Sequence, residues 1–180
     1  METYIALFRG INVGGNHMLP MKELKLLLEK NGCRDVRTYI QSGNVIFRSA
    51  PSNAVRLAAR LTELVAKDYG FAPDVMVLTA TELERAVAAN PFGEARDNPA
   101  AVHLFFLRHA PARPDLQGCE SLKTSERFAL ADRVFYLHTP HGFGASKLAG
   151  RAEKLLGVSA TARNWRTVTT LLDMAKGRPG

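Results

Sequence analysis

Val36-Arg37-Thr38-Tyr39-Ile40-Gln41-Ser42-Gly43-Asn44-Val45-Ile46-Phe47-Arg48-Ser49 is the stretch whose reading decides the fold. Two short runs rich in β-branched and aromatic residues, 36–40 and 44–49, flank Gln41-Ser42-Gly43-Asn44. Gly and Asn there are turn formers, so the stretch predicts a β-hairpin. On its upstream side, Pro20 suits the first turn of a helix, where its missing N–H costs nothing. Met21, Leu24, Leu27 and Leu28 then form a stripe at helical spacing, and Gly32 is a stop. Before that helix, residues 4–9 read as a buried strand that Gly10 ends. On the downstream side, Ser52 or Asn53 caps a helix with the stripe Leu57, Leu61, Leu64 and Val65, ending near Gly70. Residues 71–79 read as another strand. The order β-α-β-β-α-β predicts an α+β protein whose N-terminal half is a ferredoxin-like split βαβ unit. Such a sheet carries both helices on one face, and its other face is either covered or used for binding.

The remainder repeats the order. Thr81 and Glu84 have capping-box spacing for a linking helix that Asn90-Pro91 stops. Residues 102–107 form a strongly apolar strand, a short helix fits 114–122, and strands fit 127–130 and 134–138. Ser146 caps a helix carrying Leu148, Ala152, Leu155 and Leu156, closed by Gly157. A final strand fits 158–162, and Asn164 caps a last helix whose stripe is Trp165, Val168, Leu171, Leu172 and Ala175. The paired strands start eight residues apart in both halves, Val36 to Asn44 and Phe128 to Tyr136. The pattern predicts a second ferredoxin-like half, a duplication, with an extra C-terminal helix. The expected organisation is residues 1–80, a linker over 81–100, and 101–180, together one compact unit.

Composition narrows the class. With 180 residues, 46% hydrophobic and 23% charged, the chain builds a core, which excludes disordered, collagen-like and low-complexity proteins. Two cysteines, Cys33 and Cys119, are too few for a disulfide-built secreted fold. The short apolar run at residues 4–8 follows an acid and is broken by Arg9, unlike a signal peptide. No window approaches the ~18 apolar residues of a membrane span. The expectation is a cytoplasmic protein with reduced thiols and no membrane partner. The net charge is +7, and the 35 residues from Ser146 onward hold seven Lys/Arg against two Asp/Glu. A basic end attracts phosphate-bearing partners, and it also serves plain solubility.

Three segments could carry chemistry. Arg9-Gly10-Ile11-Asn12-Val13-Gly14-Gly15-Asn16 lies between a strand and a helix. Glycine N–H groups approach anions, and Arg9 adds a bidentate contact to phosphate or carboxylate. The pattern is neither G-x-x-x-x-G-K-[ST] nor G-x-G-x-x-G, so Walker and Rossmann sites are excluded. The competing reading is a loop whose glycines and Asn12 supply positive φ. Gln41 and Asn44 carry amides that suit a base edge or a small polar ligand, and they also suit a turn. Arg163, Asn164 and Trp165, with Arg166, offer charge and a stacking ring near a helix start. The alternative there is a cap, a core ring and solvated arginines.

Among the histidines, His138 and His141 are close but lack any zinc-site pattern, so no metal is expected. Cys33 and Cys119 have no His partner in sequence, and there is no G-x-S-x-G elbow. Ser42-Gly43-Asn44-Val45-Ile46-Phe47 lacks the aromatic-Gly-aromatic spacing of RNA-recognition strands.

With these residues in view, the chain resembles the bacterial domain of unknown function (DUF) 1697 family. The marks are Arg9-Gly10-Ile11-Asn12-Val13-Gly14-Gly15, Gln41-Ser42-Gly43-Asn44, Asn90-Pro91-Phe92, and Thr161 with Arg163-Asn164-Trp165. Across nearly the whole chain, the resemblance implies a compact α/β protein and no particular activity or cofactor. The marks hold no His, Cys, Asp or Glu, the usual proton carriers, nucleophiles and metal ligands. They suit recognition of an anion or amide, as well as turns and caps. The leading expectation is a binding protein for a phosphate-bearing small molecule, nucleotide or nucleic acid at Arg9, Asn12, Gly14, Gly15, Gln41, Asn44, Arg163, Asn164 and Trp165. The alternatives are an enzyme on a small phosphorylated or carboxylated substrate, using His17 or His141, and a protein-interaction module built on the second sheet face. No catalytic residue and no oligomeric state is assigned.

Overall fold

A computed structural model describes residues 1–178. The elements are β1 (Glu2–Arg9), α1 (Met21–Lys30), β2 (Arg34–Tyr39), β3 (Asn44–Ser49), α2 (Ala54–Tyr69), β4 (Asp74–Thr79), α3 (Ala80–Ala88), β5 (Val102–Leu107), α4 (Leu116–Leu122), β6 (Arg127–Ala131), β7 (Val134–His138), α5 (Lys147–Leu156), β8 (Ala160–Asn164) and α6 (Trp165–Ala175). They form a mixed α+β fold with two four-stranded antiparallel sheets, ordered β2-β3-β1-β4 and β6-β7-β5-β8. Renumbered from β5, the second order is the first, so a duplicated two-half arrangement fits. The repeat also takes in a closing helix, since α3 follows β4 and α6 follows β8 with no residue between. The chain divides into two compact units: Met1–Glu84 with the chain from Thr170 onward, and Arg85–Thr169.

In the first unit, the helical face of the sheet presents Tyr4, Ala6, Phe8, Val45, Phe47, Val75 and Val77. Leu24 and Leu28 of α1 and Leu57, Leu61 and Val65 of α2 pack on it. Each such Leu contributes about 1.5–3 kcal/mol of burial. Asn53 caps α2 by accepting from the Val55 and Arg56 N–H groups, and Gly70 closes it at φ 77. The second face is not open, because Ile5, Leu7, Ile46, Met76 and Leu78 are all buried. β2 begins at Arg34 and carries an irregularity between Arg34 and Arg37, with Asp35 at φ 51. A bulge of this kind blunts an edge strand against stray pairing. β4 begins at Asp74 rather than residue 71, after Pro73, which has no N–H for a ladder.

Other expected positions move as well. The capping box belongs to Thr79 and Glu82, not Thr81 and Glu84. Glu82 accepts from the Thr79 N–H (2.8 Å), and the Thr79 hydroxyl oxygen accepts from the Glu82 N–H (3.1 Å). Glu84 instead pairs with Lys176. β8 spans 160–164 rather than 158–162, which makes Arg163 and Asn164 strand residues opposite Leu104 and His103.

In the second unit, Phe105, Leu107, Phe135 and Leu137 face Cys119, Leu148, Ala152 and Leu156. Phe105 and Phe135 meet edge to face, with centroids 5.7 Å apart. The opposite face, with Val102, Leu104, Phe106 and Tyr136, is buried too. Its Tyr136 hydroxyl donates to the Ala86 carbonyl (2.8 Å). Gly118 of α4 is closely packed: a Cβ there would lie 2.4 Å from Asp115 Oδ2 and 2.8 Å from Leu155 Cδ2, so one of those side chains would have to shift. Among the described residues, no helix is long and apolar enough to cross a membrane.

Candidate functional site

The end of the first sheet collects most of the residues singled out in the sequence. Arg9 ends β1, exposed, opposite Asp74 at the start of β4. The chain then makes a small hairpin of its own. Asn12 N–H donates to the His17 carbonyl (3.1 Å), and Asn16 N–H to the Val13 carbonyl (3.0 Å). Gly14 at φ 58 and Gly15 at φ 77 form its tip, the paired positive φ of a type I′ turn, which is why two glycines stand together. A Cβ at either would meet nothing within 4 Å. No acceptor among the described residues takes the N–H of Gly14 or Gly15.

Asn12 fastens this hairpin down. Its Nδ2 donates to the Leu19 carbonyl (2.9 Å) and to the Gln41 carbonyl (3.0 Å), and its Oδ1 accepts from the Leu19 N–H (2.7 Å). The amide is committed to the chain, and its job is to join the 9–19 loop to the β2–β3 turn. Asn44 works in the same way one turn further on. Fully buried, it donates to the Tyr39 carbonyl (3.1 Å) and to Ser42 Oγ (3.0 Å). Gly43 is held at φ 80, and its carbonyl takes the Phe8 N–H (2.8 Å). A Cβ there would lie 2.7 Å from Phe8 Cβ and 2.8 Å from Ile11 Cδ1. The sequence motifs thus reflect one docked pair of loops. Gln41 and Ser42 remain exposed beside it.

Ile40 was not singled out in the sequence, yet it sits at φ 49 and is 52% exposed. A β-branched residue in the left-handed region costs about 1–2 kcal/mol, and Asn44 pins the turn that holds it. Val13 and Met18 are exposed nearby in the loop. His17 Nδ1 lies 3.1 Å from the Gly10 carbonyl oxygen, and its ring stacks on Phe71 at 4.6 Å.

Arg163, Asn164 and Trp165 lie in the second unit, at the junction of β8 and α6. Asn164 is the cap, its Oδ1 accepting from the Thr167 N–H (2.9 Å). Arg163 donates to the Ala162 carbonyl (2.9 Å), and burial pushes its guanidinium down to about 10, still charged at neutral pH. Trp165 is half-buried, with its carbonyl accepting from the Thr169 hydroxyl (3.0 Å). His141 lines a small hollow elsewhere in the second unit, with Thr124, Glu126 and Ser146.

Glu126 and His103 carried no sequence signal, because their roles depend on pairing distant segments. Glu126 is buried and accepts from the Thr124 N–H and hydroxyl and from the Ser146 hydroxyl. The Ser146 and Thr124 hydrogen bonds hold its carboxyl down at about 2. Ser146 then accepts from the Ala149 N–H, so Glu126 organises the start of α5. His103 stacks on Phe143 at 3.9 Å, and burial lowers it to about 4. Cys33 and Cys119 are buried free thiols raised by burial, the opposite of an activated nucleophile. Among the described residues, no three His, Cys, Asp or Glu gather as a metal site.

One similar solved structure is that of a conserved bacterial protein, SP0830 from Streptococcus pneumoniae. It is 24% identical, with 97% of this chain and 98% of that chain covered, and the TM-score is 0.71. That likeness shows the shared fold. No curated protein matches the chain. A family model described as "Protein of unknown function (DUF1697)" matches residues 1–136. The matched part holds the docked loops of residues 9–19 and 41–44 and the Asn90-Pro91-Phe92 turn, whereas Arg163, Asn164 and Trp165 lie beyond it. The expected resemblance is therefore membership: this chain belongs to the DUF1697 family.

Proposed function

We propose that this protein recognises a phosphate-bearing or other anionic ligand, a nucleotide or nucleic acid, at the loop of residues 9–15. The observation that carries the reading is the Asn12 clamp. It fixes the loop to the β2–β3 turn while Arg9, Gln41 and the Gly14 and Gly15 N–H groups stay on the outside. A loop held in shape before binding loses less entropy when a ligand arrives. Arg9 would supply the charge and the tip N–H groups the directional contacts. Asn12 and Asn44 position the loop rather than touch the ligand. Arg163 and Trp165, in the second unit, are proposed by themselves as a source of charge and an aromatic ring.

The test is an amide-resolved NMR titration with pyrophosphate and with ATP. Saturable shifts confined to residues 9–19 and 41–43, and a loss of about tenfold in affinity for Arg9→Ala, are expected. Shifts elsewhere only, or an Arg9→Ala protein that binds as well as the parent, would sink it.

A second reading, an enzyme on a small phosphorylated or carboxylated substrate, rests on His17. That ring is exposed, oriented by Gly10 and Phe71, and stands at the foot of the same loop. His17→Ala would then abolish turnover and spare binding.

We also read each half as ferredoxin-like, supported by the β-α-β-β-α-β order together with the strand order β2-β3-β1-β4. A cytoplasmic location is part of the proposal, supported by two buried free cysteines.

A further inference from the structure

Six of the seven cations of the C-terminal segment fall into two groups, with Arg166 exposed by itself on α6. Lys176 pairs with Glu84 and Arg178 with Asp173, and Arg163 is half-buried. By contrast Lys147, Arg151 and Lys154 are all exposed on α5, and none has a carboxylate partner among the described residues. At 3.6 residues per turn these three and Gly150 lie within about 100° of one another, along about 10 Å of helix. The acid of this helix, Glu153, is turned away to accept the Ala160 N–H (2.8 Å). The exposed face is therefore basic, with no carboxylate within ion-pair distance of its three cations among the described residues.

Gly150 is the second observation. Glycine inside a helix destabilises it relative to alanine. A packing reason would explain it, as at Gly118, but a Cβ at Gly150 would meet nothing within 4 Å. The helix carries a backbone-exposing residue at the edge of its basic face, midway along the line of cations, that no internal contact requires. Beside this face runs a groove of about 310 Å³ between α4 and α5, lined by Leu122, Leu155, Arg151 and Lys154, with one acid, Asp115, at the start of α4.

We propose that this face of α5 binds the phosphate backbone of a nucleic acid, with Lys147, Arg151 and Lys154 neutralising successive phosphates and Gly150 letting the strand lie against the helix. The three cations form a line, which fits a polyanion better than a single phosphate. Close approach at glycine shortens the distance over which they act. The site is separate from the Arg9 loop and does not depend on that reading.

The experiment is fluorescence anisotropy with a labelled single-stranded oligonucleotide and its duplex across a salt series, with pyrophosphate as competitor. Binding should weaken with salt, with a log–log slope near −2 for the single strand, as three phosphate contacts require at about −0.7 each. The triple variant Lys147→Glu, Arg151→Glu, Lys154→Glu should lose at least about tenfold in affinity and flatten the slope. All three residues are exposed, and circular dichroism checks that the fold is kept. Gly150→Ala should raise the melting temperature and still weaken binding severalfold, a pairing that a purely structural glycine would not give. The triple variant should leave the pyrophosphate-induced NMR shifts of residues 9–19 unchanged, which separates this face from the Arg9 loop. An absence of saturable binding to both oligonucleotides at low salt would overturn the proposal. So would an unchanged affinity and slope in the triple variant, or pyrophosphate binding that the triple variant abolishes while neither oligonucleotide binds.

Discussion

The two halves make one backbone bond in the same place and surround it differently. In the first, Phe8 N–H donates to the Gly43 carbonyl at 2.8 Å. In the second, Leu107 N–H donates to the Arg133 carbonyl at 2.8 Å. Each bond ties the end of a central strand to the exit of the neighbouring hairpin turn. Where the first half has glycine, the second accommodates an arginine, whose Nε reaches back to the Leu107 carbonyl (3.3 Å). The reason is Ile11, which is buried over Gly43 as the 9–19 loop folds back across the turn. An obligatory glycine thus marks a docked loop, and the first half spends its buried amides on that docking. The second half places its buried charge elsewhere, on Glu126 at the foot of β6.

The comparison breaks most sharply at Gly43. Gly43→Ala adds a methyl into Phe8 and Ile11 at a positive φ, and a loss of about 3 kcal/mol is expected in urea unfolding. Arg133→Ala, at the matching place, should cost about 1 kcal/mol or less. Equal losses would mean that the two turns do the same work. Next comes Glu126→Gln, with an expected loss of about 2 kcal/mol at neutral pH.

Its pH dependence has a definite sign. Glu126 titrates at about 2 when folded, against 4.5 for an ordinary glutamate. Its stabilisation is therefore present above about pH 4.5 and fades as pH falls toward 2, and the variant's stability curve should be flatter there. His103 adds a second acid-sensitive window. It titrates at about 4 folded against 6.5 when free, so stability should fall as pH drops from 6.5 toward 4, and His103→Phe should remove that slope.

Asn12→Ala should cost about 1.5 kcal/mol. Faster amide exchange in residues 10–19 should accompany it, with the second unit unaffected. A smaller effect than at Asn12 is expected at the paired helix starts. Thr79→Ala and Asn164→Ala should each cost about 1 kcal/mol, as lost caps.

Periodicity made most elements legible. The stripe Met21, Leu24, Leu27 and Leu28 is the buried face of α1, and Ser146 and Gly157 bound α5 as cap and stop. β3, β5 and β7 lie on the residues their apolar runs mark. Edge strands were harder, because Arg34 and Asp35 in β2 and Arg163 and Asn164 in β8 carry little apolar pattern. The capping box slipped by two residues because a strand passing straight into a helix leaves no loop to reveal the boundary. At the candidate site, Asn12 and Gln41 were both visible as motifs, but their 3.0 Å contact joins positions 29 apart in sequence. Only the hairpin register and the return of the 9–19 loop bring them together. Glu126 and His103 were silent for the same reason, since their neighbours arrive from other strands and loops.

The direct junctions β4–α3 and β8–α6 impose a further condition on how this sequence can change. Each helix inherits its rotational phase from the strand before it, with no spacer to absorb an error. One inserted residue would turn the helix by about 100° and swing Val168, Leu171 and Leu172 away from the interior. The 9–19 loop and the turn of residues 40–43 are locked by side-chain bonds, yet an inserted residue there would rotate no helix. Length variation among natural relatives, and any inserted tag or fused domain, should therefore be tolerated at the segments of residues 89–101 and 108–114, and not at positions 79–80 or 164–165.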